Sequence, residues 1–482
     1  MFPLDTVAGI TWNQQTGVDP PTFTNAPVDL SLLKIIPGAV GTIAFGKYNS
    51  PDYEVHPGEF IPPVGTRTGT PAVQGTNEIY FNLVLPSGTK PATGWPVAIF
   101  GHGNGGNKNA VLNVAAKMAA HGIATIAINF VGAGFGQLGT LTVNRTSGGT
   151  VTFSAGGRGI DQNGDRVIGA DEGFSTAPPR TILFFTDGIR QTVADLMQLV
   201  RVIDVGVDVD GDGSPDLDKF RIYYFGNSLG ANCGTVFLAV DPSVQTGVAS
   251  SPGGPIIENR RLGPGSRGVL GQLLASRSPS LINSPGITSL DGVAVGSPYF
   301  FNENFPLRDG IPLRVLLADG TSQDIQSPVI NTVAGAMAIQ ELVEHTKWVS
   351  HSGDPLAYAP YLRKHPLAGV PAKSMIYQFA KGDQVGPNPN VTAILGAGDL
   401  TDRATFYRHD LAYAENPGLP KNPHGFIVVI SNAAFKPIAL AAQEQIAVFF
   451  DTDGTVIIHP EPARFFEVPI ILPLPEDLNF IP

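Results

Sequence analysis

The segment Ile222-Tyr223-Tyr224-Phe225-Gly226-Asn227-Ser228-Leu229-Gly230-Ala231-Asn232 constrains the fold more than any other stretch of the chain. An apolar run ends in Gly-x-Ser-x-Gly, and small residues follow. That order calls for a buried strand, a sharp turn and a helix in immediate succession. The turn holds the serine at strained backbone angles with its hydroxyl projecting alone, and the flanking glycines let neighbouring backbone pass without a Cβ in the way. Such a turn belongs in a sheet covered by helices, and the rest of the sequence supplies one. Residues 78–85 alternate, with Ile79, Phe81 and Val84 among them, and 96–100, 123–130 and 374–380 are short apolar runs. Residues 110–121 read as a helix closed by Gly122. Over 188–203, Ile189, Val193, Leu196, Val200 and Ile203 make one helical stripe, with Arg190, Gln191 and Gln198 on the opposite face. Strands alternating with helices predict a mainly parallel sheet.

Composition narrows what this sheet can serve. Of 482 residues, 43% are hydrophobic and 15% charged, enough to bury a large core and exclude a disordered chain. Lys plus Arg number 30 against 41 Asp plus Glu, a net charge of -11, and no basic run gives a nucleic-acid footprint. No apolar run approaches the ~18–20 residues of a membrane helix. The opening Met1-Phe2-Pro3-Leu4-Asp5 has neither the basic start nor the apolar stretch of a signal peptide. The lone Cys233 forms no intrachain disulfide and reads as a small buried residue on the helix after the turn. Gly132-Ala133-Gly134-Phe135-Gly136 lacks a following Gly-Lys-Ser/Thr, so a phosphate loop is rejected.

A serine hydroxyl becomes a nucleophile only with a base to take its proton and donors for the oxyanion that forms. With the order serine, acid, histidine, the candidate bases are histidines 345, 351, 365, 409, 424 and 459. His424 stands in Asn422-Pro423-His424-Gly425-Phe426, ahead of a strand-like 427–430 and a helical 439–449; His409 is its rival. The run 374–380 leads into Lys381-Gly382-Asp383, followed by a Pro-containing turn, which puts Asp383 ahead of Asp399 and Asp402 as the acid. Phe100-Gly101-His102-Gly103-Asn104-Gly105-Gly106-Asn107 follows another strand end.

A His-Gly loop, a serine elbow, an Asp loop and a His loop in this order resemble the α/β-hydrolase superfamily over about residues 77–450. Within it the chain resembles the large secreted bacterial lipases and esterases, with Asn227 where many lipases carry histidine. The resemblance implies an α/β-hydrolase fold: a mostly parallel central sheet flanked by helices. It implies Ser228, Asp383 and His424 as catalytic residues, with backbone N–H groups of Gly103 or Asn104 and of Leu229 as the oxyanion hole. His102 is structural in that reading. The chain divides into an N-terminal β-rich extension (1–76), a first half of the core (77–254), a cap- or lid-like insertion (255–370, helical near 333–348) and a second half (371–482) ending in an extra strand at 465–472. Residues 132–180 form a second insertion, rich in Gly and Thr.

Two acidic loops resemble calcium sites. Asp161, Asn163, Asp165, Glu172 and the carbonyl of Val167 follow EF-hand or dockerin spacing, with Arg166 where glycine is normal. Asp208, Asp210, Asp212, Asp216 and the carbonyl of Ser214 crowd into one short stretch whose mutual repulsion a cation would relieve. Neither loop has Cys or His, so zinc is disfavoured there. The expectation is two structural Ca2+ ions and a secreted hydrolase of carboxylic esters, with lipid- or polyester-like substrates. The alternatives are an amidase or peptidase using the same residues, and a calcium-dependent binding protein without turnover.

Overall fold

A computed structural model describes residues 1–482 apart from 66–68, 276–286, 291–292, 295–312, 318–320, 326–337, 479 and 482. Much of the middle of the expected cap therefore lies outside the described residues, as do positions 333–337 of its expected helix, which is seen as Ala338–Ser350. Within the cap the strands Ile287–Leu290, Val293–Ala294, Leu313–Leu317 and Ser322–Ile325 form a small antiparallel sheet.

The central sheet has ten strands, in spatial order Phe2–Pro3, Val40–Asp52, Gly75–Pro86, Ala124–Ile128, Trp95–Gly101, Leu217–Asn227, Thr246–Ser250, Ser374–Ala380, Ala404–Tyr407 and Phe466–Glu467. Gly75–Pro86 runs antiparallel to both neighbours, and every pairing from Ala124–Ile128 to Ala404–Tyr407 is parallel. The chain steps outward from Trp95–Gly101 to Ala124–Ile128, then returns to place Leu217–Asn227 on the other side. A reversal of strand order opens a crevice at the carboxyl ends of the two strands that flank it. This strand order, with Gly75–Pro86 antiparallel beside the parallel strands, is the α/β-hydrolase fold.

Both faces are covered. Leu112–Ala120 and Lys436–Asp451 bury Val114, Met118, Ile446 and Phe450 on one side. Thr186–Val205 and Leu229–Val240 bury Ile189, Leu196, Leu199, Ile203 and Phe237 on the other. The buried stretches of the central strands, such as 97–100 and 222–225, are apolar, as burial on two faces requires.

Four details depart from the sequence reading. The strand Val40–Asp52, within the stretch read as an extension, pairs along its length with Gly75–Pro86 in the central sheet. The remaining N-terminal strands, Val7–Gly17 and Thr22–Val28, join Gly136–Arg145 and Thr150–Ser154 from the 132–180 insertion in a separate four-stranded sheet. Residues 427–430 form no strand: bonds from Phe426 N to Pro423 O and from Val428 N to Gly425 O wind them into turns, with Phe426 and Ile427 buried. At the C-terminus only Phe466–Glu467 pairs, against Ala404–Tyr407. Apolar content marked Ile427 and Ile430 as buried but not their turn, and at the C-terminus Ile471 and Leu472 are exposed.

Gln191 also lies differently. The helix Thr186–Val205 buries it completely, together with Asp187 and Asp195. Gln191 Oε1 accepts from Tyr53 N at 2.8 Å, and its Nε2 donates to Pro51 O and to Asp195 Oδ1, both at 2.9 Å. The face opposite the apolar stripe is thus a polar clamp on the end of Val40–Asp52.

Candidate active site

The strand Leu217–Asn227 ends at Ser228, and Leu229–Val240 begins at once. Ser228 has φ 56° and ψ -117°, a left-handed conformation that costs a non-glycine residue about 1–3 kcal/mol and persists only where packing enforces it. Here the packing is backbone against backbone. A Cβ on Gly226 would lie 2.3 Å from the carbonyl carbon of Gly230, and one on Gly230 would lie 2.0 Å from Gly101 O. Both glycines of the motif are required by this crossing.

Ser228 Oγ lies 2.7 Å from His424 Nε2. His424 Nδ1 lies 2.9 and 2.8 Å from the two carboxylate oxygens of Asp383. A carboxylate only accepts, so Nδ1 carries the proton and Nε2 is left as the acceptor for the serine hydroxyl. Asp383 is 1% exposed, and its Oδ1 also accepts from Val385 N at 2.8 Å and Gly386 N at 2.9 Å. These bonds fix the carboxylate before the imidazole meets it. Asn422, which the sequence reading passed over, ties the two loops together: its Oδ1 accepts from Gln384 N and from His424 N, each at 3.1 Å. Its only signal was an Asn two residues before the histidine, the spacing of an Asx turn.

Gly103, Asn104 and Leu229 line the cavity of about 360 Å³ that holds Ser228 and His424. Leu229 is the first residue of its helix, where a backbone N–H has no partner in the helical ladder. Gly103 backs onto the serine so closely that a Cβ there would sit 3.3 Å from Ser228 Cβ. His102 shapes this loop. It accepts from Phe130 N through Nε2 at 3.2 Å, so Nδ1 carries the proton and donates to Gly103 O at 2.8 Å. Full burial pushes its pKa down to about 4, so it is neutral and structural. The rest of the cavity includes Phe185, Ile256, Val385 and Val428.

The rival residues are occupied elsewhere. His409 is buried against Phe435 at a ring separation of 5.7 Å, and burial lowers its pKa to about 4. Asp399 caps the helix Asn388–Gly398, and Asp402 pairs with Arg363. Cys233 is fully buried, and burial pushes its thiol pKa up, away from reactivity.

The two acidic loops share one backbone design. Asp161 accepts from Gly164 N and Arg166 N at 2.8 and 2.9 Å, and Asp208 accepts from Gly211 N and Gly213 N at 2.6 and 2.9 Å. Arg166, at φ 69°, takes the left-handed conformation that Gly213 takes at φ 83° in the second loop. In the first loop the Glu172 oxygens accept from the backbone of Gln162, Asn163 and Gly169, Asn163 Oδ1 accepts from Asp165 N, and Asp165 Oδ1 accepts from Val167 N. In the second loop, second carboxylate oxygens converge. Asp210 Oδ2, Asp212 Oδ2, Asp216 Oδ1 and Ser214 O surround Lys90 Nζ at 3.5, 3.1, 2.8 and 3.5 Å. An oxygen cage that already centres on a positive charge fits a hard cation. The loop also braces the sheet, since Trp95 N donates to Asp216 O at 2.8 Å.

No protein-family model and no curated protein matches the chain. Solved structures that align with it include the hyperthermophilic esterase from the archaeon Pyrobaculum calidifontis, at 13% identity over 88% of this chain and 89% of that one, with a TM-score of 0.38. An acetyl xylan esterase from Paenibacillus sp. R4 aligns at 16% identity over 67% and 70%, with a TM-score of 0.31. The acylaminoacyl peptidase of Pyrococcus horikoshii aligns at 11% identity over 92% of this chain and 48% of that one, with a TM-score of 0.41. Likeness this distant carries no weight for activity; the fold stands on the strand order itself. Among the described residues, no helix is long and apolar enough to cross a membrane.

Proposed function

We propose that the chain is a serine hydrolase of carboxylic esters. The observation that carries this reading is the unbroken line of hydrogen bonds from Ser228 Oγ through His424 to Asp383, at 2.7 and 2.8 Å. Ser228 Oγ attacks the acyl carbon while His424 Nε2 takes its proton. Asp383 holds the imidazole in the right tautomer and stabilises the imidazolium. The N–H groups of Leu229 and of Gly103 or Asn104 receive the oxyanion. His424 returns the proton to the leaving alcohol, and water repeats the sequence to release the acid. The cavity beside the serine combines apolar side chains, Phe185, Ile256, Val385 and Val428, with Asn259 and Arg260, which supports an ester with an apolar portion and a polar one.

Calcium at the two acidic loops belongs to the same reading. Asp208, Asp210, Asp212, Asp216 and the Ser214 carbonyl would hold one ion in place of the Lys90 ammonium. Asp161, Asn163, Asp165, Glu172 and the Val167 carbonyl would hold the other. Both ions would be structural, bracing the nucleophile strand and the second sheet. Loops of this kind suit the millimolar calcium outside cells, which supports a secreted protein.

A series of p-nitrophenyl esters of increasing chain length, run with and without EDTA, tests chemistry and cations together. Turnover that peaks at a defined acyl length and vanishes in S228A is expected. Equal turnover in S228A would refute the reading.

A further inference from the structure

A second cluster of chemistry-bearing residues sits outside everything used above. Asp52, Glu54, His56 and Glu59 follow one another at the end of the strand Val40–Asp52. That strand runs antiparallel to Gly75–Pro86, which runs antiparallel to Ala124–Ile128, so its carboxyl end lies on the same rim of the sheet as the serine turn.

The carboxylates are buried. Glu54 is 2% exposed, Glu59 4% and Asp52 7%, while the half-exposed His56 closes the cluster from outside. His56 Nε2 lies 3.0 Å from Asp52 Oδ2, and its Nδ1 lies 3.3 Å from Glu59 Oε1. One ligand atom each from Asp52, Glu54 and His56 falls within 4.8 Å of the others. Donors around an ion bound at ~2.1 Å stand roughly 3–3.5 Å apart, so the cluster needs little adjustment to close on one.

Glu54 carries the inference furthest. Its Oε1 is buried and meets no hydrogen-bond partner among the described residues. It lines a cavity of about 600 Å³ together with His56, Glu59 and Arg158. Arg158 is committed elsewhere, donating through Nη1 to Asp195 Oδ2 at 2.7 Å and to Asn129 O at 3.2 Å. Buried polar oxygens in proteins are hydrogen-bonded or coordinate metals, and Glu54 Oε1 has no hydrogen-bond partner among the described residues. The loop is also held in place. Tyr53 N donates to Gln191 Oε1 at 2.8 Å and Ile61 N to Asp187 Oδ2 at 2.9 Å, so the helix Thr186–Val205 clamps both its ends.

We propose that Asp52, Glu54 and His56 form a site for one zinc ion, His56 binding through Nε2 on the Asp52 side while Glu59 holds its Nδ1. Calcium takes oxygen donors, and magnesium keeps most of its water, whereas a mixed imidazole and carboxylate set suits Zn2+. The ion would be structural. It would fix the conformation of the loop 52–61, whose ends are already clamped to the helix Thr186–Val205 by hydrogen bonds.

The test uses the full chain stripped of metal by chelation. It is titrated with Zn2+ by calorimetry and with Co2+ by visible absorption, for the unmodified protein, H56Q and E54Q. The expected result is one Zn2+ per chain, not displaced by excess Ca2+, with affinity at least tenfold weaker in H56Q and a Co2+ spectrum that H56Q alters. His56 is half exposed, so H56Q keeps its fold, which circular dichroism checks. No zinc binding, or binding whose affinity and Co2+ spectrum are unchanged in H56Q, would overturn the proposal and leave His56 as an ion-pair partner of Asp52 and Glu59. Ester turnover is not the readout, so this result and that for Ser228 are independent.

Discussion

In the proposed function Asp383 does not touch the serine, yet the chemistry depends on what it does to an imidazole. Its carboxylate, held by two backbone N–H groups, takes the proton-bearing Nδ1 of His424 and leaves Nε2 free to accept. D383N would present a donor to that nitrogen and favour the wrong tautomer. Its expected effect is a fall in kcat of about 10⁴-fold with the fold intact, measured on a short p-nitrophenyl ester. A drop of less than tenfold would mean that another group orients His424. At this scale the sequence was legible where chemistry is local. Ser228 announces itself within five residues, and Asp383 and His424 each stand in a short loop at the expected place in the chain. Asn422 was not legible, because its role is to join two loops brought together only by folding.

Elements carry their own constraints. The elbow exists because the backbone of Gly230 crosses that of Gly101, leaving no room for a methyl group. G230A is therefore expected to lose roughly 3 kcal/mol or more of stability in urea unfolding, together with activity, as the serine turn is pushed off the oxyanion loop. An unperturbed variant would show that the crossing is looser than its distances. In the second acidic loop, the Lys90 ammonium sits among the carboxylate oxygens. If calcium competes for that place, K90M should bind it about tenfold more tightly by calorimetry, since the internal competitor is gone; unchanged affinity would place the ion elsewhere. The helix Thr186–Val205 shows why periodicity reads only part of an element. Its apolar stripe was plain in the sequence, but burial of Gln191, Asp187 and Asp195 depends on partners more than a hundred positions away. The turns at 427–430 were misread for a related reason: a short apolar run does not distinguish strand from buried turn.

For the whole molecule, the sheet order puts the loops after Trp95–Gly101 and Leu217–Asn227 at one crevice, and the later strands bring Asp383 and His424 to the same rim. The strands around 78–85, 96–100, 123–130, 222–225 and 374–380 were legible as apolar or alternating runs, whereas Thr246–Ser250 and Ala404–Tyr407, short and partly polar, were not. The second sheet was not, because Val7–Gly17 finds its partner Gly136–Arg145 far along the chain, and no local pattern fixes such a pairing. Global stability should also depend on pH through His102 and His409. Burial lowers each from 6.5 to about 4, so the unfolded chain binds protons that the folded one refuses, and stability is lost as pH falls from 6.5 towards 4. A shift of that size corresponds to about 3 kcal/mol per imidazole. H409F should flatten the difference in unfolding free energy between pH 7 and pH 4.5 by an amount of that order; an unchanged slope would assign the acid sensitivity to other groups. The proposed function rests on a single oxygen atom made reactive by its surroundings. Labelling with a fluorophosphonate probe, followed by peptide mapping, reads that reactivity directly. One probe per chain on Ser228, abolishing ester turnover and slowed at least ~10³-fold in H424A, is the expected result. An unlabelled Ser228 in a chain that still hydrolyses esters would contradict it.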